Sequence, residues 1–147
     1  MKPIELEKLK DIISKGEKCV VKVLIEDKDN NKIGSGTGFF CKLPIRNNYL
    51  NVLLTNNNVI NEEFLKNKKG LKIEYLKQIK KINLNENRFI FTNADIDFTI
   101  IEILDEDLIN EFFEVEEYIN ENDCLNKEIS IIQHPKEKVF HLQMVLL

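Results

Sequence analysis

The reactive chemistry of this 147-residue chain is concentrated in two histidines, three cysteines and two runs of like charge. Histidine changes charge near neutral pH, so a general base is sought first at His134 and His141. His134 closes an apolar, β-branched run and reads as a strand-end side chain, and nothing in the spacing brings it to a carboxylate. Cys124, His134 and His141 follow no usual zinc-ligand spacing, and three cysteines form no disulfide framework. Cys41 as a nucleophile would need a base and an electropositive pocket; the plainer reading is a small buried hydrophobe. No metal and no cofactor is expected. Lys66 to Lys81 holds seven lysines against one glutamate, and Asp105 to Asp123 holds nine acids and no base. Both read as solvated faces, with docking of an oppositely charged partner as the alternative.

The elements that must position these groups are mostly strands. Residues 3–14 form a short helix from the stripe Ile4, Leu6, Leu9, Ile12 and Ile13, with Gly16 as its end. The period then changes to two: Cys19, Val21, Val23 and Ile25 mark a strand. Asp27 to Lys32 is a hairpin loop by composition. Gly34, Gly36 and Gly38 alternate on one face of the next strand, 33–41, where missing side chains permit close backbone approach or strong coiling. They cradle no phosphate, because no Lys-Ser/Thr follows and the continuation, Phe39-Phe40, is strand-like. Pro44 to Asn48 reads as a loop, 49–55 as a strand, 56–64 as a turn and a short helical piece, and 66–70 as a loop. Leu71, Ile73 and Tyr75 alternate as a strand. The slip between Ile79 and Ile82 suggests a bulge, and Phe89 and Phe91 mark another strand. Phe98 to Leu104 reads as a strand buried on both faces, Asp105 to Phe113 as an acidic helix, and Ile129 to Ile132 as a last strand. Val21, Val23, Leu53, Ile73, Ile101 and Ile103 are the expected core.

A chain 43% hydrophobic and 31% charged has a core to bury and suffices for one domain. Its net charge is 21 − 25 = −4, and Tyr75 alone is interleaved in the basic run, so no nucleic-acid partner is expected. No apolar run is long enough for a membrane span, and the charged start MKPIELEKLK predicts no signal peptide. A reduced, cytoplasmic protein is expected. The 20 isoleucines and 18 asparagines reflect compositional bias, so asparagine-rich stretches are discounted as functional signals.

Three segments, in order, resemble a trypsin-like serine peptidase domain of the chymotrypsin fold. GSGTGFF, 34–40, resembles the glycine-rich strand opening the first barrel; LLTNNNVI, 53–60, resembles the segment bearing the catalytic histidine; DFTIIEI, 97–103, resembles the segment bearing the catalytic aspartate. ISIIQHP, 129–135, is a weaker match to the first strand of the second barrel. The resemblance implies that Asp97 stands at the aspartate position and that Asn58 replaces the histidine. A carboxamide has no protonation equilibrium near neutral pH, so Asn58 is no general base, and the role of Asp97 is vestigial. No GDSG-like segment follows, so the serine nucleophile and its neighbouring oxyanion donors are absent.

The strand pattern predicts a mainly all-β chain, an antiparallel barrel or sandwich; the resemblance implies an antiparallel Greek-key barrel of the trypsin-like type, comprising the first barrel and the start of the second. A helical segment, 1–16, would precede a peptidase-like domain, 17–147, incomplete at its C-terminus. The expected function is a degenerate or truncated peptidase domain without activity that acts by binding a protein or peptide, with self-association through an uncovered barrel face left open. One alternative is a fragment of an active serine endopeptidase whose second barrel is missing; another is a stand-alone β-barrel interaction module, since fold does not fix function.

Overall fold

The computed structural model describes residues 6–114, 128–133 and 141–146. Helix α1, Leu6–Cys19, runs directly into strand β1, Val20–Glu26. It does not stop at Gly16: that residue and Cys19 are buried, and Lys18 sits in the last turn, where a cation suits the helix dipole. Strand β2, Lys32–Ile45, is longer than expected and passes through Pro44. Its pairing with β1 ends at Phe39, so at Pro44 it faces β3, Asn48–Thr55, alone among the described residues, and a missing N–H costs no ladder bond on the other side. Helix α2, Glu62–Asn67, is capped by Asn61, whose side chain accepts from the Phe64 amide, and it occupies part of the expected 66–70 loop.

Strands β4, Gly70–Tyr75, and β5, Gln78–Asn83, form a hairpin in regular register, without the expected bulge. Ile79 and Ile82 simply lie on opposite faces, one exposed and one buried. The two-residue turn between them places Leu76 and Lys77 at φ 49° and 64°, the left-handed conformation of a primed turn, although neither is glycine or asparagine. Strands β6, Ile90–Asn93, and β7, Phe98–Glu102, form a second hairpin. β7 buries one face only: Thr99 and Ile101 point inward and Phe98 is exposed. The acidic segment after it is not a helix but one 3-10 turn, Asp105–Asp107, followed by irregular chain and a two-residue strand β8, Phe113–Glu114, parallel to β2. Strands β9, Glu128–Gln133, and β10, His141–Leu146, pair antiparallel as a separate ribbon.

The main sheet runs β5-β4-β1-β2-β3-β7-β6, with β8 beside β2. Apart from β8 its pairings are antiparallel. It consists of a meander, β1 to β3, and two hairpins, joined where β1 meets β4 and where β3 meets β7. Among the described residues, hydrogen bonds do not close it into a ring. Its two edges, β5 and β6, are nevertheless consecutive in the chain, linked by residues 84–89. A flat sheet seven strands wide would hold its edges roughly 29 Å apart, whereas seven Cα steps span at most about 24 Å. The sheet therefore curls, and one apolar core receives Ile82 of β5 and Ile90 of β6 together with Val21, Val23, Leu53, Ile73, Ile101 and Ile103. All six residues of the expected core are buried.

Two of the three alternating glycines are required by this packing. A Cβ on Gly36 would lie 2.5 Å from Val59 Cγ2, and one on Gly38 would lie 2.8 Å from Leu53 Cδ1; at Gly34 the nearest atom is 3.8 Å away.

Candidate functional site

The β6–β7 hairpin turns through Ala94 to Asp97. Asn93 Oδ1 accepts from the amides of Asp95 and Ile96 at 2.9 and 3.3 Å, and Asp97 closes the turn at φ 53°, a left-handed conformation aspartate tolerates better than most residues. From there its carboxylate reaches the turn that follows β3. Asp97 Oδ1 accepts from the Asn58 amide at 3.0 Å, and Asn56 Nδ2 donates to Asp97 Oδ2 and to its carbonyl, both at 3.2 Å. The Asn56 carbonyl in turn receives the amides of Val59 and Ile60 at 3.1 Å. The structure thus brings together Asn58 and Asp97, 39 positions apart in sequence. What Asp97 holds is the backbone of Asn58. The exposed Asn58 carboxamide has no hydrogen-bond partner among the described residues.

A polar relay lies beneath this turn. Asn57 Nδ2 donates to Thr92 Oγ1 at 2.7 Å, the Thr92 and Thr99 hydroxyls are 2.7 Å apart, and Thr99 Oγ1 donates to the Ile60 carbonyl at 2.6 Å. A hydroxyl has one proton, so Thr99 spends its own on Ile60 and accepts from Thr92. Thr55 Oγ1 donates to the Thr37 carbonyl at 2.8 Å. Sequence reasoning missed these residues. Asn57 was set aside with the asparagine excess, and the signal that could have found the threonines is their register: Thr92 and Thr99 are direct cross-strand partners.

The second buried polar group lies at the link between the sheet edges. Arg88, with no exposed side-chain surface, grips Asp107 through both terminal nitrogens and donates to the Glu102 carbonyl at 2.7 Å. Asp107 Oδ2 also accepts from the Leu104 amide at 2.8 Å. This explains why the acidic segment does not continue as a helix: the Asp107 side chain is drawn into the fold. A signal was present, because 19 of the 21 basic residues are lysine and arginine appears only at positions 46 and 88. A bidentate carboxylate partner is where arginine is not interchangeable with lysine.

Chemically, the Asp97 cluster is an arrangement of acceptors and amide donors, and among the described residues no titrating side chain hydrogen-bonds the carboxylate. Cys19 and Cys41 are buried free thiols, and burial pushes Cys41 up to about 11, so neither is poised as a thiolate. His134 and Cys124 lie outside the described residues, and His141 is placed only as the β10 partner of Gln133. Among the described residues, no three histidines, cysteines or carboxylates gather as metal ligands, and no helix is long and apolar enough to cross a membrane. No protein-family model matches the chain, and no curated protein matches it.

Proposed function

We propose that this chain is a trypsin-like peptidase domain of Greek-key barrel type that has lost its catalytic chemistry and acts by binding a protein or peptide. The observation that carries the reading is the contact between the Asp97 carboxylate and Asn58. The two residues that the resemblance puts at the aspartate and histidine positions meet across two strands. The curled sheet order, with its edges joined by 84–89, supports the barrel. Loss of chemistry follows from the residue types: an amide at the base position takes no proton from a nucleophile. The binding role is supported by Phe91, Ile96 and Phe98 of the β6–β7 hairpin and the adjoining Phe89, which are 40 to 60% exposed.

The test is an assay of the purified chain and of Asn58→His against a mixed fluorogenic peptide library, alongside a serine-directed fluorophosphonate probe. Neither protein is expected to turn over substrate. Restoring one triad member while the nucleophile and oxyanion donors are absent recovers little. Labelling of a defined serine in the wild-type chain, together with turnover, would overturn the reading.

A further inference from the structure

Four lysines converge on one concavity. Lys68 and Lys69 come from the segment after α2, Lys72 from β4 and Lys81 from β5; Leu24 and Phe64 supply apolar lining. The space is about 190 Å³, below the ~300 Å³ at which whole-ligand pockets begin and fitting for one or two side chains.

The charges here are not arranged for mutual comfort. Lys72 and Lys81 stand directly opposite each other in the β4–β5 register, an unfavourable placement for like charges. Glu26 is the one carboxylate in the lining, and its Oε1 is taken by Lys72 at 3.1 Å. Lys68 Nζ is turned to the Asp27 carbonyl at 3.2 Å. Lys69 and Lys81 are exposed, and neither pairs with a carboxylate among the described residues. The Lys81 stem lies across Gly70, in the space a Cβ there would take. The lining holds four ammonium groups and one carboxylate, and the Asp27 carboxylate beside Lys68 stands just outside it, so the partly apolar hollow keeps an excess of positive charge.

We infer that this hollow binds an acidic peptide segment of a protein partner, seating a carboxylate between Lys69 and Lys81 and an adjoining aliphatic side chain on Leu24 and Phe64. The apolar lining favours a carboxylate carried on hydrocarbon over a free inorganic anion. A nucleic acid is disfavoured by the chain's net charge of −4 and by a hollow too short to track a phosphate backbone. The inference rests on the proposed binding role and not on the resemblance to peptidases.

The experiment measures fluorescence anisotropy of a labelled eight-residue peptide in which glutamates flank one leucine. Its glutamine counterpart, inorganic phosphate and a single-stranded oligonucleotide serve as competitors. The acidic peptide is expected to bind, to weaken with added salt, and to resist competition by the glutamine peptide. Lys69→Met with Lys81→Met, which keeps both apolar stems, should weaken binding about tenfold or more. Lys77→Glu, in the same basic run but outside the lining, should change it less than twofold. An equal loss in Lys77→Glu, unchanged affinity in the double methionine variant, tighter binding of the oligonucleotide, or no peptide binding would each overturn the inference. None of these outcomes bears on the hydrolysis assay, so the two failures are distinguishable.

Discussion

Asp97 and Asp107 perform the same local task in different surroundings. Each sits beside a turn, each accepts a backbone amide, from Asn58 or Leu104, and each accepts from a side chain, Asn56 or Arg88. Asp97 is half-buried and its partners are neutral amides; Asp107 is buried against an arginine with no exposed side-chain surface. The difference teaches what each position demands. At the exposed turn the donor is the Asn58 backbone, so the side chain at 58 is free to change without disturbing the geometry. At the buried link both halves of the interaction are side chains, and neither can be removed singly.

Four variants sharpen that contrast. Asp107→Ala takes the bidentate partner from the buried Arg88, leaving it only the exposed Glu106 carboxylate at 3.5 Å, and should cost about 3 kcal/mol in urea denaturation. Replacing the pair together, Arg88→Met with Asp107→Leu, should recover most of that loss, because the penalty belongs to the stranded charge. If the double variant is as unstable as the single one, the bidentate geometry itself is required. Asp97→Ala should cost about 1 kcal/mol by the same measurement, since its hydrogen bonds are partly open to water; a loss as large as that of Asp107→Ala would erase the distinction. Asn58→Ala should stay within about 0.5 kcal/mol of wild type, and amide exchange at Asn58 should remain slowed by the Asp97 contact.

The parts of the fold legible in the sequence are those where one face is buried and the period is two. Val21, Val23, Leu53, Ile73 and Ile101 carry their environment in their spacing. In the misread acidic segment a partner far along the chain decides the local conformation. The acids from Asp105 satisfy every local rule for a helix start, yet Arg88, 19 positions away, takes Asp107. Pro44 reads as a strand breaker unless it is known that β2 has a single neighbour there. Ile79 breaks the alternation, yet the ladder carries no bulge. At the candidate site, the meeting of Asn58 and Asp97 was legible through the resemblance, but that the backbone amide is the group engaged was not, because residue types say nothing of which atom faces a neighbour. The Asn57–Thr92–Thr99 relay stayed hidden because bias in asparagine content masks Asn57, which bonds inward.

The two joins of the sheet also set a folding order. The meander and the two hairpins pair residues close in sequence, and isolated hairpins form in about 1–10 μs. Joining them requires Val23 to find Ile73 and Leu53 to find Ile101, separations of 50 and 48 residues, and the loop entropy of each search falls before its contacts repay it. Substitutions in those two seams should therefore slow folding, whereas equally destabilising changes at the hairpin ends should mainly speed unfolding.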